Sequence, residues 1–337
     1  MQICALILSL QRLTINNKKE LVNQHDSKEL ISSIPTDTRA GIVAVIGRAN
    51  VGKSTLVNTL IEEKVSIVSP VAQTTRNRIR GIWTEARGQL VFMDTPGVHK
   101  ATHDLGRVMN RMARTSADSA DIILLVLDAT ASPWMEDEGW MRRISGANTP
   151  LILALNKIDA ITPRSDQRET HHMLWNRMQK AAGQSVAVRW LDISAKTGSG
   201  LDTLRRLLLD LVPPGPLLFP ENMLSDFPRK LMIADIVREK LFRVLKDELP
   251  YAIAVHITTL DEARSGWTIQ GDILVNKPSQ KGMVIGKKGR LLNAITHESE
   301  QELSEIYEQK VSLRLWVRVR QNWARDTALL QQLGYTL

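Results

Sequence analysis

The sequence predicts a mostly parallel α/β sheet with helices on both faces, followed by a smaller α+β domain. Three observations carry this expectation. Apolar runs at residues 42–46, 90–93, 122–127 and 151–155 recur through the first part of the chain, and each ends on a glycine, aspartate or asparagine. Continuous apolar runs of that length mark parallel strands buried on both faces, and polar residues at their C-terminal ends face the crevice where such sheets bind ligands. Pro213-Pro214-Gly215-Pro216 and Pro220 then break every periodicity, because proline continues neither a helix nor a central strand. Beyond them the order changes to helix, strand, strand, helix, Gly-x-x-Gly, helix, strand. The expected organisation is an N-terminal extension at 1–40, a first domain at 41–212, a linker at 213–220 and a second domain at 221–337.

Composition agrees with two soluble-type cores. At 337 residues two domains are the natural expectation, and a hydrophobic content of 43% supplies both. A formal charge of +8 fits a polyanionic partner. The sole cysteine, Cys4, excludes an intramolecular disulfide and fits a reducing compartment. No segment approaches the roughly 18 consecutive apolar residues of a spanning helix. Residues 3–10 are apolar, but no Lys or Arg precedes them as in a signal peptide. Glu20, Asp26, Glu29 and Asp37 are out of place in an organelle transit peptide. Residues 1–40 are therefore read as a poorly ordered tail. A short membrane-touching segment, a weak targeting signal and an upstream start codon are the alternatives.

The run at 42–46 leads into Gly47-Arg48-Ala49-Asn50-Val51-Gly52-Lys53-Ser54, and a helical pattern at Leu56, Val57, Leu60 and Ile61 follows. Strand, glycine loop and helix are the context of a phosphate-binding loop: the glycines turn backbone N–H groups inward, and the helix start adds its positive dipole end. Lys53 is expected on the β- and γ-phosphates and the Ser54 hydroxyl on Mg²⁺, with Thr55 among the nucleotide contacts. Next comes Gln73-Thr74-Thr75-Arg76, a loop that would supply a second Mg²⁺ ligand in the triphosphate state; Thr75 is the first choice and Thr74 the second. Arg76, Arg78 and Arg80 alternate, so they share one face of an extended segment, read as solvated.

Asp94-Thr95-Pro96-Gly97 closes the run at 90–93. A carboxylate there is placed to hold Mg²⁺ through water, and Gly97 lets its N–H approach the γ-phosphate. The following Val98 cannot orient an attacking water by hydrogen bonding. Asn156-Lys157-Ile158-Asp159 selects the base. The Asp159 carboxylate accepts from guanine N1–H and the N2 amino group, which adenine lacks, and a wrong base leaves buried polar groups unpaired. Asn156 can bond the O6/N7 side and brace the loop, and the Lys157 stem can lie along the nucleoside. Ser194-Ala195-Lys196 offers a backbone N–H to O6.

In the second domain, a Gly286-Lys287-Lys288-Gly289 loop between two helices lets a nucleic-acid backbone approach closely. Acids and bases nearly balance over 221–337, yet 273–297 holds Lys277, Lys281, Lys287, Lys288 and Arg290 and no acid. A basic stripe on a balanced domain suits an RNA groove. Lys281, Gly286, Lys287, Lys288, Gly289 and Arg290 are the RNA-contact candidates. Trp175, Trp190, Trp316 and Trp323 are read as packing residues.

These motifs carry a resemblance. Residues 47–54, 73–76, 94–97, 156–159 and 194–196 resemble the five motifs of a translation-factor-related P-loop GTPase, and the order of 221–337 is that of a type II KH domain. Phe219-Pro220-Glu221, Glu248-Leu249-Pro250-Tyr251 and Leu315-Trp316-Val317-Arg318-Val319 are similar to the Era family, and the resemblance covers about 41–337. It implies GTP/GDP and Mg²⁺ as cofactors, with Lys53, Thr75, Asp94 and Gly97 at the catalytic centre. A hydrophobic residue replaces the catalytic glutamine in that family, as Val98 does here, and Asn50 corresponds to a residue that binds K⁺ in several relatives. Ala49 stands where the family commonly has Pro. The resemblance further implies a cytoplasmic GTPase that binds small-subunit (16S-type) ribosomal RNA near its 3′ end and assists assembly of the small ribosomal subunit, with some peripheral membrane contact. No obligate protein partner is called for, and a monomer is expected. The alternative reading is an RNA-binding scaffold in which GTP is a conformational ligand and its turnover incidental.

Overall fold

A strand buried on both faces needs neighbours on both edges, and β1 (Arg39–Ile46) has them. It pairs in parallel with β3 (Gly88–Asp94) and with β4 (Ile122–Asp128). β5 (Leu151–Asn156) and β6 (Val188–Asp192) extend the sheet on one side, and β2 (Ile79–Glu85) lies antiparallel on the other edge, giving the order β2-β3-β1-β4-β5-β6. The register sets Asp94 beside Val45 and Asn156 beside Asp128, so the polar strand ends meet along one carboxyl edge. In the computed structural model, residues 38–69, 71, 74–97, 104–183 and 186–335 are described. The readings made on residues 1–37, including the tail and the membrane contact, lie outside them, as do those on Gln73 and Val98.

Period-two alternation divides the core of this sheet in two. Val43, Val45, Phe92 and Val126 face α1 (Lys53–Ile61) and α5 (Leu201–Leu211). Ala44, Ile46, Leu125 and Leu127 face α2 (Asp104–Asp118), α3 (Met135–Ile144) and α4 (Arg168–Ala182). Among the described residues no helix is long and apolar enough to cross a membrane.

The proline segment does not hang free. The Ala40 N–H donates to the Pro213 carbonyl at 3.2 Å, and the Ile82 N–H donates to that of Leu224 at 2.8 Å. The Gln89 amide oxygen accepts from the Leu218 and Phe219 N–H groups, both at 2.9 Å. Prolines cannot donate, yet their carbonyls and neighbours still pair with an edge.

The second domain follows as α6 (Arg229–Val244), α7 (Leu249–Ala252), β7 (Ala254–Ala263), β8 (Gly266–Val275), α8 (Pro278–Ile285), α9 (Arg290–Tyr307) and β9 (Val311–Val319). A last short helix, α10 (Thr327–Gln332), closes the chain. The sheet runs β7-β8-β9, antiparallel then parallel. α6 and α9 cover one face through Ile233, Val237, Leu241, Ile295 and Leu303. Tyr251, which with Ala252–Ile257 alternates in sequence as a strand would, lies in α7, where Pro250 takes an early helical position that needs no N–H donor. β9 alternates inward Leu313, Leu315 and Val317 with outward Arg314, Trp316 and Arg318. That alternation carries Trp316 outward to 44% exposure, so it is not the packing residue expected. Trp323 is: it is fully buried and its indole N–H donates to the Ala252 carbonyl at 2.9 Å.

Residues 39–337 form one compact unit. Ile67, just after α1, is buried in the core of the second domain, and Leu105 and Met109 of α2 join Ala254, Leu274 and Trp323.

Candidate functional site

The carboxyl edge of the first sheet gathers the predicted nucleotide residues. Gly47 and Gly52 take φ of 147° and 100°. A Cβ on Gly52 would lie 2.4 Å from the Asn156 side-chain nitrogen, and one on Gly47 2.5 Å from the Val126 carbonyl, so only glycine fits where the loop crosses the strand ends. The buried Lys53 ammonium donates to the Gly47 and Arg48 carbonyls at 3.1 and 2.9 Å, spanning the loop from inside. Burial lowers its pKa to about 8, against the raising pull of Asp94.

The three candidate Mg²⁺ ligands converge. Ser54 Oγ donates to Asp94 Oδ2 at 2.7 Å and lies 2.8 Å from Thr75 Oγ1. Asp94 is fully buried and its Oδ1 has no hydrogen-bond partner. Burial raises its carboxyl above the usual range, opposed by the Ser54 bond and by Lys53. Two hydroxyls and a buried carboxylate with a spare oxygen are a hard-oxygen set suited to Mg²⁺. Between the two candidate threonines the geometry favours Thr75, because the Thr74 hydroxyl donates to the Val71 carbonyl at 2.5 Å. Gly97 lies against the loop: a Cβ there would meet Ala49 N and Cα at 2.8 Å.

At the other end, Asn156 is a brace. Its side chain donates to the Val51 carbonyl and accepts the Ala195 N–H, both at 2.8 Å. Ser194 Oγ donates to Asp159 Oδ1 at 2.6 Å, which fixes the carboxylate that would read the base. Lys157, at φ 69°, sends its ammonium to the Asn50 carbonyl at 2.8 Å and to Asp128 at 2.7 Å. Burial works to raise the Asp128 carboxyl, but the bonds from Lys157 and Thr130 outweigh it and hold it below the usual range. Thr55 follows Ser54 in the first turn of α1, and Lys196 is exposed. Asn50 is exposed at the loop tip with φ 63°.

Sequence reasoning missed several partners. The Arg48 side chain pairs with Asp137 at 3.0 Å and Asp128 at 3.5 Å, donates to the Ala49 carbonyl at 3.4 Å, and lies 4.7 Å from the Trp134 ring centroid. Asp137 sits among Glu136 and Glu138 at a helix start, where acids are ordinary, so nothing local distinguishes it. Arg76 is also not solvated as its alternation with Arg78 and Arg80 suggested; it is 1% exposed. Its guanidinium donates to the carbonyls of Ile253 and Pro250, 177 and 174 residues away.

The glycine loop of the second domain turns as its spacing requires. Gly286 and Gly289 take φ of 73° and 76°, and Lys288 takes 54°. Lys281, Lys287, Lys288 and Arg290 are all exposed. α9 starts directly behind the loop at Arg290, aiming its free N–H groups forward.

Comparison with known proteins agrees with both halves. A family model described as a 50S ribosome-binding GTPase matches residues 42–157, and a KH domain model matches residues 248–324. GTPase Era of Geobacter sp. (strain M21) is 40% identical over 298 residues, 88% of this chain and 98% of that protein. GTPase Era of Rippkaea orientalis (strain PCC 8801 / RF-1) is 35% identical over 318 residues, 94% and 99% of the two chains. Among solved structures, Era in complex with MgGDPNP and nucleotides 1506–1542 of 16S ribosomal RNA superposes with a TM-score of 0.81 at 37% identity, over 89% of this chain and 100% of that one. A single-residue variant of Aquifex aeolicus Era bound to GDP·AlF4⁻ gives 0.80 at 37%, with the same coverage. With relatives 35–40% identical over nearly their whole length and the two domain models matched in the same order along the chain, the chain belongs to the Era family of GTPases.

Proposed function

We propose that the protein is a GTP-binding and GTP-hydrolysing switch that binds small-subunit ribosomal RNA near its 3′ end and assists assembly of the small ribosomal subunit. The observation that carries the switch is the meeting of Ser54, Thr75 and Asp94 beside Lys53. Thr75 comes from a loop, whereas its two partners sit on a helix start and a strand end, so a ligand at this point ties the loop to the sheet. The RNA part is supported by the exposed glycine loop and by the relative whose structure holds 16S ribosomal RNA nucleotides 1506–1542.

In this reading Lys53 binds the β- and γ-phosphates, and the inward amides of 47–52 wrap the β-phosphate. Ser54, Thr75 and Asp94 would hold Mg²⁺, which would supply positive charge to the phosphates when bound. Gly97 presents its N–H to the γ-phosphate, which its close approach to Ala49 permits. Asp159, fixed by Ser194, accepts from guanine, while Asn156 holds the two loops at their spacing. The amides of 194–196 serve O6, and the Lys157 stem covers the nucleoside. Asn50, exposed at the tip, would hold a K⁺, which would supply positive charge beside the phosphates. Faster turnover in K⁺ than in Na⁺ buffer, lost in Asn50→Ala, is the expected outcome; equal rates in both buffers would remove the ion from the account.

The experiment for the RNA function is binding of a labelled RNA from the 3′ end of small-subunit ribosomal RNA at fixed salt, with a non-hydrolysable GTP analogue and with GDP. Tight binding with the analogue, lost in Lys287→Ala/Lys288→Ala, is expected. Equal binding with both nucleotides would favour a scaffold, and no loss in the double variant would move the RNA off the glycine loop.

A further inference from the structure

The loop that carries Thr75 is fastened to the second domain on both sides of that threonine. Before it, the Thr74 carbonyl accepts from the Arg238 guanidinium of α6 at 3.0 Å. After it, Arg76 donates to the Pro250 and Ile253 carbonyls at 3.0 and 2.8 Å, just ahead of β7. Both guanidiniums lie against the Phe242 ring, 5.5 and 5.9 Å from its centroid. Arg238 is held in turn by Asp235 at 2.7 Å and by the Tyr335 hydroxyl at 3.3 Å. Thr75 itself spends its hydroxyl on Ser54, at the phosphate site. One three-residue stretch therefore touches both the phosphate site and the second domain.

This seam is buried but poorly satisfied. Arg76, Asp235 and Arg238 are 1%, 1% and 2% exposed. Arg76 Nε, Arg238 Nε, Asn77 Oδ1 and both Asp235 oxygens are buried without a hydrogen-bond partner; the close Asp235–Arg238 contact is an ion pair without hydrogen-bond alignment. Two buried guanidiniums face one buried carboxylate across it. Unpartnered buried polar atoms and unbalanced charge are costly, so natural structures keep them few. Apolar contacts elsewhere, at Ile67, Leu105 and Met109, already join the domains. The polar seam sits at the two residues flanking the Mg²⁺ threonine.

We propose that the Arg76–Asp235–Arg238 seam makes the RNA-binding domain a positioning element of the nucleotide site. It holds Thr75 for the triphosphate, and a movement of Thr75 with nucleotide state passes through the same bonds to α6 and the start of β7. From there the path is packed: Val237 and Leu241 of α6 share one core with Ile295 and Leu303 of α9, the helix that begins at the glycine loop. Close-packed elements respond by switching between discrete arrangements. This inference rests on the GTP-switch reading.

The test is Arg76→Lys and Arg238→Lys in the full chain. Lysine keeps the charge and loses the planar fork with which Arg76 spans two carbonyls and Arg238 the Thr74 carbonyl and the Tyr335 hydroxyl. Neither side chain is placed against nucleotide or RNA, so affinity for GDP, and for RNA with GDP bound, is expected to stay at the wild-type level. The ratio of RNA affinity with the analogue to that with GDP is expected to fall by about fivefold or more. Hydrolysis should lose about tenfold or more in kcat/KM for GTP while GDP affinity holds, because a misplaced Thr75 acts on the triphosphate states alone. A folded variant that keeps both the ratio and kcat/KM overturns the proposal. Where a lysine variant fails to fold, Tyr335→Phe removes one acceptor of Arg238; a reduced ratio supports the seam and an unchanged one overturns it. Wild-type protein with equal RNA affinity in both nucleotide states would sink the switch reading itself. A wild type that switches beside variants that still switch sinks the seam alone.

Discussion

At the scale of single residues, Lys53 shows burial opposing function. The site needs a cation, but burial lowers its pKa from 10.5 to about 8, and the acceptors that surround it are the carbonyls of Gly47 and Arg48. Phosphate oxygens arriving there would raise the pKa again. The bound value then lies above the free one, so binding takes up a proton above pH 8. Affinity is full below that pH and weakens as pH rises through it, approaching about tenfold per unit. Calorimetry of GDP binding in buffers of different ionisation heat should show proton uptake at pH 9 and little at pH 7. Arg76 shows the opposite limit of legibility. Its alternation with Arg78 and Arg80 is a local pattern and reads as a solvated face, whereas its acceptors lie 174 and 177 residues further on. A long-range bond from a charged side chain to backbone carbonyls leaves no periodic trace. The places of Ser54, Asp94 and Asp159 were legible because a helix start, a strand end and the turn after a strand fix them.

At the scale of elements, the glycine loop between α8 and α9 separates two uses of glycine. Gly286 combines φ 73° with ψ 175°, and a Cβ there would lie 2.6 Å from the Leu291 Cβ. Gly289 takes an ordinary left-handed conformation and has open space where a Cβ would go. Gly286→Ala is therefore expected to destabilise the protein by roughly 2–3 kcal/mol and Gly289→Ala by about 1 kcal/mol. Urea unfolding followed by second-domain tryptophan fluorescence measures both, and equal costs would contradict the strain assigned to Gly286. The order of elements was readable here because periods of two and 3.6 alternate cleanly from 229 onward. The turn α7 was not, because Tyr251 and Ile253 fit a strand until Pro250 is given its helical position.

At the scale of the whole molecule, the linker prolines announce two domains but say nothing of how closely the two are joined. Ile67 is buried in the second domain's core, and Lys64 pairs with Glu239 of α6 and with Glu302 of α9. These contacts use single residues from loops, so no repeat or run in the sequence signals them. They make the phosphate site and the RNA loop parts of one unit, which is the central claim: GTP and RNA are bound by a common arrangement. Coupling between two ligands is reciprocal. The direct measurement is the affinity of the full chain for the GTP analogue and for GDP, with and without saturating 3′-end RNA at one salt concentration. The account predicts that RNA raises analogue affinity over GDP affinity by about fivefold or more, the same factor by which the analogue favours RNA. RNA that leaves the two nucleotide affinities in their original ratio would contradict it.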